Sequence, residues 1–469
     1  MRTSPSYTAS YRLEVDEANL SVSQIVDAVS ATGAQIKGLD VADSDRGRIV
    51  IDLTCDMRDS EHRREVEKVL DDLEGVHTSS VADQTFMAHV GGKIEVKPKV
   101  PLRNRDDLSR AYTPGVARVC TAIHDTPSKA HLLTMKANSV AVVSDGTAVL
   151  GLGDIGPEAA LPVMEGKAVL FKQFGDVDAW PVVLDTKDTE EIISIVKAIA
   201  PAYGGINLED ISAPRCFEIE ERLRAELDIP VFHDDQHGTA IVVLAALINA
   251  LKLVNKKIED VRIVVSGVGA AGSAIIKLLL AQGARDIVGY GRTGALAGDD
   301  IEGMHPSRAW LAQNTNPRMV HGSLKEGIAD ADVFIGVSHG NILEPSDIAK
   351  MAPGAIVFAL ANPTPEVDPI AAAEYAAIVA TGRSDYPNQI NNVLAFPGLF
   401  RGLLDAKVKE ITTEVLRVAA VAIASVISED ELSPSYIIPG AFDKRVAHAV
   451  SKAVRRAVRD LPTVDIPVQ

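Results

Sequence analysis

Two acidic runs hold the densest chemistry in this chain: Gly-Ile-Asn-Leu-Glu-Asp-Ile at 205–211 and Phe-His-Asp-Asp-Gln-His-Gly-Thr-Ala at 232–240. Each sets carboxylates at the end of an apolar stretch, beside turn residues. Glu209, Asp210 and one of Asp234 and Asp235 are candidates to converge on one hard divalent cation. Oxygen donors without thiolates favour Mg²⁺ or Mn²⁺ over zinc. A cation so placed polarises a carbonyl and stabilises an enolate. The plainer alternative is a pair of acidic loops that cap helices. His233 and His237 flank the acidic pair; as ligands they would select a softer ion, so they are assigned to structure or hydrogen bonding.

A second pattern supplies a hydride acceptor. Residues 261–266 read as a strand, Gly267-Val-Gly269-Ala270-Ala271-Gly272 follows, and 274–280 opens a helix. This G-x-G-x-x-G has the strand before it and the helix after it that dinucleotide binding requires. Gly267 and Gly269 permit a tight turn and close approach of a pyrophosphate, Gly272 lets helix and strand pack, and the helix N-terminus beginning at Ala270 and Ala271 faces the phosphates. The next strand, 286–290, ends in Tyr290-Gly291-Arg292, where an NAD-specific site usually carries an acid. Arg292 can accept a 2′-phosphate, so NADP stands beside NAD as the cofactor. Gly151-Leu-Gly153-Asp-Ile-Gly156 matches the same pattern, but its preceding apolar run, 148–150, is short and Pro157 follows; it reads as a glycine-rich turn shaping the substrate pocket.

The elements that must position these groups fall into three blocks. Residues 7–88 show the order βαββαβ, with strands at 11–15, 35–41, 48–55 and 76–87 and helices at 22–32 and 60–74, a ferredoxin-like α+β pattern. Residues 93–105 are basic, contain Pro98 and Pro101, and read as a linker. Strands and helices then alternate, with strands near 140–144 and 180–185, helices near 157–174 and 189–200, and a long apolar helix at 238–253. A second α/β unit begins at 261, and basic residues mark a last helix at 444–459. The domain expectation is therefore 1–88, 89–237 and 238–469.

Composition narrows the class. With 46% hydrophobic and 24% charged residues the chain is expected to be a soluble globular protein. A formal charge of −17 argues against nucleic acid or an anionic membrane as a partner. The first 85 residues add no basic tail. Cys55, Cys120 and Cys216 are too few and scattered for a disulfide framework, which suits a reducing cytoplasm. The opening Met-Arg-Thr-Ser-Pro-Ser-Tyr lacks the apolar core of a signal peptide, and the apolar run 239–250 is too short to span a bilayer.

Taken in order, Tyr112-Thr-Pro-Gly-Val-Ala117, Gly151 to Gly156, Glu165-Gly-Lys167-Ala, Asn207-Leu-Glu209-Asp210, the 232–240 run, Ala361-Asn362-Pro363 and Asn391-Asn392-Val-Leu-Ala-Phe-Pro397-Gly398 resemble malic enzymes over about residues 103–404. With the small leading domain, the chain resembles the bacterial NAD(P)-dependent members that carry an N-terminal ACT domain, a module that binds small effectors. The resemblance implies a Rossmann-type dinucleotide-binding domain, an α/β malic-enzyme N-terminal domain before it, and oxidative decarboxylation of L-malate to pyruvate and CO₂ with NAD or NADP and Mg²⁺ or Mn²⁺. It implies Lys167 as the base on the malate hydroxyl and Tyr112 as the acid that protonates the enolpyruvate carbon. Glu209, Asp210 and Asp235 become the cation ligands, Asp234 a group behind them or one that orients Lys167, and Asn362 and Asn392 contacts to substrate or nicotinamide. A homo-oligomer, dimer or tetramer, is also expected, as is decarboxylation of oxaloacetate. One departure stands out: larger members carry, at the position of Ala148, an arginine that clamps a substrate carboxylate, and alanine cannot.

Two alternatives use the same residues differently: a malolactic-type conversion of malate to lactate with the dinucleotide retained, and a catalytically silent nucleotide-binding sensor. The small N-terminal block is expected to be regulatory. Deleting residues 7–88 should then abolish the response of malate turnover to its effector while leaving basal rates, measured by initial-rate kinetics; an unchanged response refutes the assignment.

Overall fold

The computed structural model describes residues 3–16, 21–45, 47–149, 151–459 and 461, and forms two compact units, Met1–Val96 and Lys97–Gln469. In the first unit, strands β1 (Ser4–Asp16), β2 (Gln35–Asp45), β3 (Arg48–Met57) and β4 (Val76–Asp83) alternate with helices α1 (Val22–Ala31) and α2 (Ser60–Asp71) as βαββαβ. The sheet is antiparallel in the order β2-β3-β1-β4, the split-βαβ arrangement the spacing predicts. Period-two alternation along β1 buries Ala9, Tyr11, Leu13 and Val15, and the helices add Ile25, Val29, Val66 and Leu70 to that core. The final strand is shorter than its apolar pattern suggests. It stops at Asp83, whose carboxylate accepts the Thr85 and Phe86 amides and so caps a helical turn at Gln84–Met87.

The second unit begins with two short helices, α3 (Arg105–Ala111) and α4 (Val116–Asp125). A four-stranded parallel sheet follows, β5 (Ser139–Ser144), β6 (Asp178–Val183), β7 (Gly205–Leu208) and β8 (Val231–His233), in the order β6-β5-β7-β8. Its crossovers are α5 (Pro157–Gly175), α6 (Thr189–Ile199) and α7 (Arg215–Glu226). After β8 the chain makes a five-residue π-helical turn, Asp234–Gly238, and runs into α8 (Thr239–Leu253), which is mostly buried. The uninterrupted helical run Asp234–Leu253 is long and apolar enough to cross a membrane, longer than the 239–250 stretch implies, and its apolar window is 72% buried inside the protein.

The second sheet contains β9 (Arg262–Ser266), β10 (Asp286–Gly291), β11 (Gly294–Ala295), β12 (Val333–Gly336), β13 (Ile356–Ala359) and β14 (Ile378–Thr381) in the order β11-β10-β9-β12-β13-β14. All pairs are parallel except β10 with β11. From β9 the chain steps outward to β10 on one side and then to β12 on the other. The C-terminal ends of β9 and β12 therefore flank the switch point where such sheets bind ligands. Helix α9 (Ala270–Ala281) follows β9, α10 (Pro306–Asn314) follows β11, and α11 (Phe396–Ala406), α12 (Thr413–Ala424) and α13 (Arg445–Ala457) close the chain. One apolar core runs from β5 and α5 through α8 to β9, β12 and α11–α13, so both sheets are built on α8. Leu150, which ends the short run before the 151–156 turn, lies outside the described residues.

Candidate active site

The acidic residues lie at the C-terminal ends of adjacent strands. Asn207 and Glu209 are two residues apart at the end of β7, and Asn207 Nδ2 donates to Glu209 Oε2 at 2.9 Å. Asp210 turns out of the strand with φ +53°, a left-handed conformation that aspartate tolerates better than most residues. Its carbonyl accepts the Ala148 amide at 2.9 Å, and its own amide donates to Asp235 Oδ2 at 2.8 Å. Glu209, Asp210 and Asp235 each present a carboxylate oxygen, and these lie within 4.8 Å of one another. Asp210 Oδ2 is buried without a hydrogen-bond partner. Three converging carboxylates with an unsatisfied buried oxygen and no thiolate fit a hard divalent cation.

Lys167 reaches this cluster from the third turn of α5. Its Nζ lies 2.6 Å from Asp234 Oδ2 and 2.9 Å from Glu209 Oε1, and it stands 4.4 Å above the centre of the Phe396 ring. Asn392 donates to the same Asp234 oxygen. The Lys167, Glu209 and Asp234 side chains are almost wholly buried, so burial first and then the neighbouring charges set their protonation. Burial by itself pulls the Lys167 pKa down, but Asp234 and Glu209 outweigh it and hold the ammonium above its usual range. Burial and the neighbouring acids push Glu209 and Asp234 up, against Lys167. Burial and then Asp235 push Asp210 up to about 7. Asp235 stays low, because His233 more than compensates its burial. One ammonium among four acids leaves an excess of negative charge, which is the electrostatic signature of a cation site.

The loop after β5 braces the cluster. Asp145 accepts from the Thr147 amide and hydroxyl, and Arg215 Nη2 lies 2.8 Å from its second oxygen. The same Nη2 donates to the Thr147 and Ser212 hydroxyls, and Nη1 donates to the Lys187 carbonyl. Arg215 is therefore committed to the scaffold and does not replace the arginine missing at Ala148. The following segment closes on itself through mutual Val149–Gly153 backbone bonds.

At the second sheet, Gly267 has φ +98°, and a Cβ on Gly272 would come within 1.8 Å of the Gly267 carbonyl. Nothing lies within 4 Å of the Cβ position of Gly269, so the turn leaves open space at the start of α9, where Ala270 and Ala271 begin the helix. This is a cradle a dinucleotide pyrophosphate fits. Across the switch point, Ser266 and Ser338 hydroxyls lie 3.0 Å apart, and buried Glu366 accepts the Ser338 and Ala361 amides, fixing the chain just before Asn362. Asn362 Nδ2 approaches the Leu360 carbonyl at 3.5 Å. Arg292 is exposed after Gly291, and the Arg308 guanidinium lies 2.5 Å from where a Gly291 Cβ would be.

The fold thus brings Lys167, Glu209, Asp210, Asp235 and Asn392 into one pocket. Tyr112 is not among them: it ends α3, is 68% exposed, and its side chain makes no hydrogen bond among the described residues. Groups that the sequence reading left without a role are Phe396 beneath Lys167, Asp145 with Arg215, and Glu220. Asn207 carried a signal, since period two along a strand places it beside Glu209.

Two family models match the chain: the malic enzyme N-terminal domain over residues 91–224 and the malic enzyme NAD-binding domain over 236–460. An NAD-dependent malic enzyme of Geobacillus stearothermophilus is 58% identical over 446 residues, covering 95% of this chain and 93% of that protein. The bifunctional malic/malolactic enzyme of Bacillus subtilis is 56% identical over 80% of this chain and 92% of its own length. Among solved structures, the NAD-dependent malic enzyme of Thermotoga maritima superposes with a TM-score of 0.77 at 51% identity, covering 80% of this chain and 99% of that one.

The steric limit at Gly272 yields a test of the cradle. Gly272→Ala should raise the dissociation constant of NADH, followed by fluorescence titration, at least tenfold, and leave Mn²⁺ binding unchanged. An unaltered NADH constant refutes the cradle.

Proposed function

The chain belongs to the malic enzyme family, and from that premise we propose that Lys167, Tyr112 and the Glu209, Asp210, Asp235 trio are its base, its acid and its cation ligands. The protein is an oxidoreductase that decarboxylates malate to pyruvate with a nicotinamide dinucleotide. The observation that carries the residue assignment is the meeting of Lys167 with Glu209 and Asp234 beside the three convergent carboxylates. When bound, the dinucleotide supplies hydride acceptance and the divalent cation supplies carbonyl polarisation.

Lys167 takes the proton of the malate 2-hydroxyl as the hydride leaves C2, and Asp234, fixed by Asn392, aims the amine. The acids around it hold its proton tightly; positive charge placed against Glu209 weakens that hold. Loss of CO₂ leaves an enolate, whose carbon Tyr112 protonates. With Ala148 unable to clamp and Arg215 committed elsewhere, recognition of the substrate carboxylates falls to Asn362, Asn392 and the cation. The blocks 1–88, 89–237 and 238–469 serve as regulatory, substrate and dinucleotide domains, in a cytoplasmic protein.

Tyr112 is exposed within a stretch that also exposes Leu108, Leu132 and Met135 at 50%, 59% and 49%. Exposed apolar side chains this numerous favour burial against another surface. A homo-oligomer, dimer or tetramer, in which that stretch is covered and Tyr112 meets the Lys167 of a second copy completes the site. The likeness to the bifunctional relative favours a second activity, lactate formation with the dinucleotide retained; lactate produced without net NADH is its readout.

Lys167→Ala should lower kcat by about 10²–10⁴-fold, with NADH binding retained. Tyr112→Phe should also be nearly inactive. Mixing the two inactive variants under subunit exchange should restore a fraction of the wild-type rate, because one of the two mixed sites has both groups; no recovery places Tyr112 and Lys167 in one copy or removes Tyr112 from the chemistry. For cofactor choice, Arg292→Ala should raise the Michaelis constant for NADP selectively; equal effects on NAD and NADP remove Arg292 from the 2′-phosphate.

A further inference from the structure

The π-helical turn Asp234–Gly238 bears one proposed cation ligand and the partner of Lys167. Lys167 pairs with both Asp234 and Glu209, whereas Asp235 makes its contacts with His233 and the Asp210 amide. Behind the turn, on α7, lies Glu220, a carboxylate 5% exposed with no place in the chemistry above. Gln236 Nε2 donates to Glu220 Oε2 at 2.9 Å, and His237 Nε2 lies 2.8 Å from Oε1 and 3.1 Å from Oε2.

The contacts continue toward the site. The same Gln236 nitrogen lies 2.8 Å from His233 Nδ1. An amide NH₂ has two hydrogens; with one on Glu220, the other goes to His233 Nδ1, which accepts it. The other ring nitrogen, Nε2, faces Asp235 Oδ2 at 3.4 Å, an electrostatic approach without hydrogen-bond geometry. The contacts form a chain of Glu220, Gln236, His233 and Asp235, with Glu220 also bound to His237 at the far end of the turn. Without an acceptor at Glu220, the Gln236 amide is free to flip and offer its oxygen to His233, which would reverse the ring's polarity toward Asp235.

A restraint of this kind is needed. Four carboxylates crowd the pocket and repel one another, and π turns are rare conformations found mostly at functional sites. Asp235 has one backbone donor, the Asp210 amide at 2.8 Å. We propose that Glu220 is a positioning residue for the cation site, fixing the π turn at Gln236 and His237 and, through Gln236 and His233, the carboxylate of Asp235. The proposal rests on the reading of Glu209, Asp210 and Asp235 as cation ligands. It is of the kind in which groups behind a ligand tune metal affinity without touching the metal.

The test is Mn²⁺ titration of the full-length protein, reading free Mn²⁺ by electron paramagnetic resonance, with NADH affinity and the cation-free melting temperature measured alongside. Glu220→Gln preserves shape but sets an N–H against the Gln236 or His237 donor. It should raise the Mn²⁺ dissociation constant by about 10–100-fold and leave NADH affinity unchanged. Gln236→Met breaks the same chain from the other side and should weaken Mn²⁺ comparably; the double variant should lose little more than either single one. Asp235→Asn is the reference and should lose Mn²⁺ binding most severely. If Asp235→Asn weakens Mn²⁺ while Glu220→Gln and Gln236→Met do not, the positioning role is wrong and the ligand assignment stands. If Asp235→Asn binds Mn²⁺ like wild type, the ligand assignment itself fails. Equal losses of Mn²⁺ and NADH affinity in Glu220→Gln would reduce Glu220 to a general structural group and overturn the proposal.

Discussion

The ammonium of Lys167, buried between Asp234 and Glu209 and seated on the Phe396 ring, ties together the elements that build the site. It arrives from α5, its partners stand at the ends of β7 and β8, and the ring belongs to α11. Removing one member of a buried pair leaves the other charge uncompensated, at a cost of about 3–5 kcal/mol. The pocket therefore constrains four elements through one nitrogen. It also leaves the acids in excess, so the same arrangement that secures Lys167 creates the demand for a divalent cation beside it.

The parallel sheet makes this arrangement reproducible. Adjacent strands β7 and β8 end at the same level, so Glu209 and Asp235 arrive together without a long loop to order. Backbone contacts complete the alignment: the Ala148 amide fixes the Asp210 carbonyl, and the Asp210 amide fixes the Asp235 carboxylate. The position whose side chain is too small to clamp a substrate thus contributes through its main chain.

Much of the plan was legible in the sequence because it rests on local rules. Alternation marks the first strand, short apolar runs mark those near 140–144, 261–266 and 286–290, Gly267 to Gly272 marks the turn between β9 and α9, and the order βαββαβ marks the first unit. The apolar pattern runs on to 87 but the strand ends at Asp83, because such a pattern does not reveal that Asp83 caps a turn. The long-range partners were not legible at all. Phe396 lies more than two hundred positions from Lys167, and the roles of Arg215 and Glu220 depend on which way α7 faces. Tyr112 has a recognisable motif around it, yet no sequence rule says that its side chain stands in solvent within one copy of the chain. The π turn is equally hidden, since Asp-Asp-Gln-His-Gly is compatible with a loop or an ordinary first turn.

That π turn flows without a break into α8, on which both sheets are packed. Each residue of a regular helix advances about 100° around its axis, and a π turn inserts a phase step between the strand end before it and the helix after it. The face of α8 that fits the apolar core and the direction in which Asp234 and Asp235 point are locked to a single phase difference. Single-residue insertions or deletions between 234 and 253 would rotate one against the other, so the length of this stretch is constrained independently of the apolar side chains that line α8.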